Sequence, residues 1–161
     1  MTSVQDVIIV TIILFAVGFI IIEVGGVTHS VNVQLLNQPV FANNSNAVSV
    51  ITHADTAINM TDYIYLALFV GFFLSILITG YLVGGIPIAA PIYFFLVIIF
   101  TFIGVVLQNV WADIVGTSTM ALYSLNFPIT TFILNNLGYF TAIFGLAGIL
   151  IMFAKPSSVV T

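Results

Sequence analysis

The chain has 161 residues, 61% of them apolar, 14% aromatic and 4% charged, with a formal net charge of −4 set by five acids against one lysine. So few charges cannot solvate a surface of this size, and most of it must meet lipid or other protein. A single cation, Lys155, cannot neutralise a run of phosphates, which excludes nucleic acid as a partner, and the lack of cysteine excludes a disulfide or a Cys/His metal site.

The first apolar segment, residues 7–23, lies between Asp6 and Glu23 and has no basic flank of the kind a cleaved signal carries, so it reads as a retained span. Gly25 and Gly26 predict that its helix ends there. Residues 24–61 read as a polar extramembrane loop. Within it Val31, Val33 and Leu35 alternate with polar residues and predict a short strand, and Val48 to Ile51 is a β-branched run suited to pair with it. Gln38-Pro39 and Asn43-Asn44-Ser45-Asn46 read as turns. Glu23 reads as a solvated helix end, with His29 as its possible partner. His53, Asp55 and Asp62 read as loop solvation and capping rather than as a carboxylate–imidazole site.

The second span, 62–84, is opened by Thr61 and Asp62, a polar cap and an acid at the positive end of the helix dipole. Ala67, Gly71, Ser75 and Thr79 recur at every fourth position, and Gly80 and Gly84 form a separate GxxxG, which predicts a face where another backbone approaches closely. Gly71→Leu is therefore expected to disturb packing, and Phe69→Leu, on the opposite face, to be nearly silent. The run Gly84 to Pro91, with two glycines and two prolines, predicts a tight turn into the third span, 91–111, where Trp111 reads as an anchor at headgroup depth.

Residues 112–135 carry one charge, Asp113, among many apolar side chains. Thr117 or Ser118 can cap a short helix in which Met120, Tyr123 and Phe127 share a face, an amphipathic segment suited to the interface. A re-entrant loop buried against protein is the alternative. Pro128 is tolerated in a first helical turn, so the fourth span, 136–154, has Pro128 as its earliest start. That span stops at Lys155-Pro156 and repeats small residues as Gly138/Ala142 and Thr141/Gly145, so the second and fourth spans are expected in close contact, within the chain or between copies. The fold class is thus an all-α integral membrane protein with four transmembrane helices in a single membrane domain. Four crossings leave both termini on one side. The lysine, the second interface anchor beside Trp111, makes that side cytoplasmic in a cell membrane.

The runs Thr61 to Phe73, Phe127-Pro128-Ile129-Thr130, Phe144-Gly145 and Ile151 to Pro156 resemble small polytopic membrane proteins of bacterial and archaeal viruses. The resemblance implies a virion-membrane component or a phage protein in the host envelope. With no ionisable group inside the second, third and fourth spans and no nucleophile paired with a base, the chain reads as neither carrier nor enzyme, with no cofactor, catalytic or metal-binding residues. The expected function is that of a structural or scaffolding protein, with the bilayer and copies of itself or other membrane or capsid proteins as partners. A holin-like or DNA-passage pore is the second reading, although the tail lacks the basic cluster usual in holins. A non-catalytic accessory subunit of a membrane enzyme complex is the third.

Overall fold

The computed structural model describes residues 4–83 and 89–154, which are almost entirely helical and contain no strand. The helices are α1 (Val4–Leu36), α2 (Pro39–Ala42), α3 (Ser45–Val83), α4 (Ala89–Val115), α5 (Ser118–Ser124), α6 (Pro128–Asn135) and α7 (Leu137–Ala154). Four of them, α1, α3, α4 and α7, are long and apolar enough to cross a membrane. The chain is an all-α polytopic membrane protein. The predicted turn at Gly84 falls outside the described residues.

The first correction concerns the expected loop, 24–61, which is helical. α1 runs straight through Gly25 and Gly26 and takes the predicted strand Val31 to Leu35 with it, while Val48 to Ile51 lies in the first turns of α3. A two-stranded hairpin alone is marginal in water. Extending a helix that already exists, by contrast, needs no new nucleus. The reversal is made by α2, a single turn opened by Pro39, and α3 starts where the Asn44 side chain accepts the backbone N–H groups of Asn46 (3.1 Å) and Ala47 (3.2 Å). Thr61 and Asp62 therefore lie inside α3 and do not cap it.

At 1.5 Å per residue, the 33 residues of α1 and 39 of α3 extend about 50 and 58 Å, against a hydrocarbon core of about 30 Å. At the polar end Val24 to Leu36 of α1 pairs with Ser45 to Asp62 of α3 as a two-helix hairpin. Neighbouring contacts give the chain directions. The Tyr65 hydroxyl donates to the Leu14 carbonyl (3.2 Å), and His29 meets Asp55, so α1 and α3 are antiparallel. Phe69 meets Phe140 and Phe73 meets Phe144, so α3 and α7 run the same way.

Large aromatic side chains fill the interior between the spans. Tyr65, Phe69, Phe73 and Ile76 of α3 join Phe100, Ile133 and Leu137 in one buried cluster. Phe69 packs edge-on against Phe73 (centroids 4.5 Å apart) and Phe140 (5.1 Å), and Phe73 stacks on Phe144 (3.9 Å). Within one copy of the chain it is the aromatic face of α3 that packs inward. Ala67, Gly71 and Ser75 are exposed, and a Cβ at Gly71 would meet nothing within 4 Å. In lipid no hydrophobic penalty sorts large from small side chains, so the face that packs inward is the one whose shapes interlock.

Phe69→Leu is accordingly expected to lower the melting stability of the detergent-solubilised monomer by about 1–2 kcal/mol, through the loss of two edge-to-face contacts. Gly71→Leu should leave the monomer within about 0.5 kcal/mol of the parent. A melt in which the two variants change places would overturn this assignment of inner and outer faces.

The other small residues divide between two contacts. Gly80 faces Gly148, with the Gly148 carbonyl 3.0 Å from where a Cβ would stand, so α3 and α7 approach closely at that point. Gly138 and Gly145 lie instead against Val105 and Val97 of α4, and Ala142 between them is half-buried. The Thr79 side chain, Gly84 and Lys155 lie outside the described residues.

Candidate functional site

The polar chemistry of the described residues gathers where the hairpin leaves the spans, and its centre is Asp62. This carboxylate sits in the middle of α3, 3% exposed. It accepts the Ile129 N–H at Oδ2 (3.0 Å), and the Thr130 N–H (2.7 Å) and hydroxyl (2.6 Å) at Oδ1. The local sequence explains why α6 needs this outside help. Its N-cap residue is Phe127, which has no side-chain acceptor, and Pro128 at the first position has no N–H. The donors left over are those of the second and third positions, Ile129 and Thr130, and an acidic oxygen is the group that satisfies them best.

The next helix is capped in the same manner. Gln108 of α4 accepts the Gly138 N–H at the start of α7 (3.0 Å). α6 and α7 are separated only by Asn136, whose backbone leaves the helical region at φ −123°. Pro128 does start a helix, as one early start for the fourth span required, but that helix breaks at Asn136 before the span begins. Both new helix ends are thus tied to older spans by side chains remote in sequence.

Helices α5 and α6 close over Trp111. The indole is fully buried among Ile22, Met120, Phe127 and Leu134, and its N–H has no acceptor among the described residues. Trp111 was expected as an anchor exposed at headgroup depth. It is a core residue, because the segment after it folds back onto α1 and α4. Gly25 and Gly26 belong to the same contact: a Cβ at Gly25 would overlap the tip of the Phe127 ring, and one at Gly26 would overlap Tyr123. Glycine is poor in a helix interior by about 1 kcal/mol, and here it admits two aromatic rings onto the α1 backbone. The segment after Trp111 presents apolar side chains on both its faces. Met120, Ser124, Phe127, Thr130, Ile133 and Leu134 face inward, while Leu122, Leu125 and Phe132 face outward.

Further out on the hairpin, the His29 Nδ1–H donates to Asp55 Oδ1 (2.7 Å), and the Asn32 amide reaches the same oxygen at 3.4 Å. His29 thus pairs with Asp55 rather than Glu23. With side chains 29% and 24% exposed, such a pair contributes no more than about 1 kcal/mol. It joins the two hairpin helices without anchoring them. His53 is exposed and donates to the Ser49 carbonyl of its own helix (2.6 Å). Asp55, Asp62 and His53 are therefore not brought together, and no group of three or more His, Cys, Asp or Glu among the described residues could hold a metal ion. The junction is built to fasten α5 and α6 to the base of the hairpin.

The sequence marks Asp62 as a capping acid but not the helix it caps, because a cap is legible in sequence only within one turn of its own helix. A usable signal was present in Phe127-Pro128, a helix start lacking its own cap. No protein-family model, curated protein or solved structure matches the chain.

Proposed function

We propose that the chain is a structural, scaffolding membrane protein, a component of a virion membrane or of a phage-modified host envelope, that assembles with copies of itself or with membrane or capsid proteins. The observation that carries this reading is the continuous helical hairpin. It continues the first two spans as one piece, fastened at its base by Asp62 and the aromatic layer over Trp111, and on this reading it stands outside the bilayer. A rigid projection transmits position from the membrane to whatever meets its tip, and that tip, Val40 to Asn46, carries no charge.

The interior between the spans supports the same reading over a conduit, since aromatic rings rather than ionisable groups occupy it. No cofactor, catalytic role or nucleic-acid contact is proposed. Both termini lie on one side of the membrane, the cytoplasmic side if the membrane is a cell's, with the hairpin projecting from the other.

Purification of particles or complexes from membranes that express the chain tests the proposal. A scaffold co-purifies at fixed stoichiometry with a particle or partner, and the pure protein leaves dye-loaded liposomes sealed. Recovery only as a free monomer would overturn the proposal, and dye release would point to the holin-like pore instead.

A further inference from the structure

The chain holds two Asn-Xaa-Ser/Thr triplets, Asn43-Asn44-Ser45 and Asn59-Met60-Thr61, the pattern that accepts an N-linked glycan where it lies on an exposed turn. The fold treats them differently. Asn43 ends α2, stands between helices and is exposed. The bonds that open α3 are made by the Asn44 side chain, which leaves the Asn43 amide and the Ser45 hydroxyl free among the described residues. Asn59, by contrast, lies in the interior of α3, about one turn before Asp62, and the Thr61 hydroxyl of its triplet is donated to the Ile58 carbonyl (2.6 Å).

We infer that Asn43 is the acceptor of an N-linked oligosaccharide and that Asn59 is not. The inference rests on the reading above that sets the hairpin on the side of the membrane opposite the termini. The turn joins two antiparallel spans, and Asn37, Gln38, Asn43, Asn44, Ser45 and Asn46 crowd it with polar groups that hydrocarbon cannot solvate, so it emerges into water on one face of the bilayer. A transferase must hold the triplet in its own groove as non-helical chain. Around Asn43 that opens only a four-residue helix with no buried residue, a local unfolding of low cost. Around Asn59 it would break α3 beside the Asp62 cap.

The tip also lacks what keeps such a turn hydrated elsewhere. Val40 is 78% exposed, and between Glu23 and Asp55 there is no acid, lysine or arginine. Sugar hydroxyls beside Val40 supply the hydration that charged side chains supply on other surfaces. In the transfer, Asn43 Nδ2 bonds to the anomeric carbon of a lipid-linked oligosaccharide as the bond from that carbon to the lipid's phosphate oxygen breaks. The phosphate leaves with the lipid, and Nδ2 gives up one proton. The hairpin then presents sugar to whatever meets its tip.

The test inserts the full-length chain into membranes that contain an oligosaccharyltransferase and its lipid-linked oligosaccharide, and compares electrophoretic mobility before and after digestion with a peptide N-glycosidase. One glycan per chain is expected. Asn43→Gln and Ser45→Ala should each abolish it, Ser45→Thr should keep it, and Asn59→Gln should leave it unchanged. Because Ser45→Ala leaves the Asn44 cap in place, loss of the glycan with an unchanged melt marks loss of the acceptor and not of the fold. Ala42→Cys, exposed at the tip, reports the side of the membrane independently through an impermeant maleimide.

A tip labelled from the lumenal side yet carrying no glycan, or a glycan that survives Asn43→Gln, would overturn the inference and leave the orientation standing. A tip reached only from the cytoplasmic side would remove both.

Discussion

Asp62→Ala is expected to destabilise the protein by about 3–5 kcal/mol, the range for removing one partner from a buried charged network. The carboxylate answers two backbone N–H groups and a hydroxyl within 3.0 Å, and alanine leaves all three without this acceptor, the two of Thr130 buried. The loss should be local first. With Asp62 gone, α6 is untied and the aromatic cover over Trp111 loosens. Because Trp111 is the only tryptophan in the chain, its fluorescence reports this event directly. Emission should shift to the red and become quenchable from solution at temperatures where helical circular dichroism is still intact.

Asp62→Asn keeps one acceptor oxygen but turns an amide N–H₂ toward donors, so it should fall between the parent and alanine. A melt within about 1 kcal/mol of the parent for Asp62→Ala, with unmoved emission, would mean that α6 does not depend on this cap.

Phe127→Ala should be comparably damaging, by about 3–5 kcal/mol for a fully buried ring. The ring is wholly enclosed, touches the α1 backbone at Gly25 and covers Trp111. Gly25→Ala alone should cost about 1–3 kcal/mol, as its methyl enters the space the ring occupies. Combined, the two changes should not add, because the methyl then fills part of the cavity left by the ring. A coupling of about 1 kcal/mol or more in the double-mutant cycle is expected. Strict additivity would show that α5 and α6 do not pack on α1 at this point.

The membrane character, the four spans and the turn-rich reversal near Asn43 are consequences of local composition and were legible at once. Runs of apolar residues of spanning length have few other solvents, and Leu137 to Ala154 matches its expected limits almost residue for residue. A short helix opened at Thr117 or Ser118 was likewise legible; it begins at Ser118, and the Thr117 hydroxyl donates back to Ile114 instead of capping it. The small residues of the fourth span were also visible as close-contact positions. Which helix they meet was not, since Gly138 and Gly145 turn to α4 and only Gly148 meets Gly80.

Three decisions belonged to the tertiary structure. Gly25-Gly26 reads locally as a helix end, because the signal for a stop and the signal for close approach are the same absent side chain. Only the arrival of Phe127 and Tyr123, about a hundred residues later in the chain, distinguishes them. Asp62 reads locally as a cap for its own helix, since a carboxylate's reach in sequence is one turn, whereas its reach in space includes the uncapped start of α6. The inner face of α3 could not be read from hydropathy, because both faces are apolar in a helix surrounded by lipid. What selects the inner face is the interlocking of Phe69, Phe73, Phe140 and Phe144 across helices. Composition by itself determined the solvent and the number of crossings. The contacts between distant segments decided where helices continue, which face turns inward and what each buried polar group holds, because dispersion and hydrogen bonding depend on atoms within a few ångströms and not on neighbours in sequence.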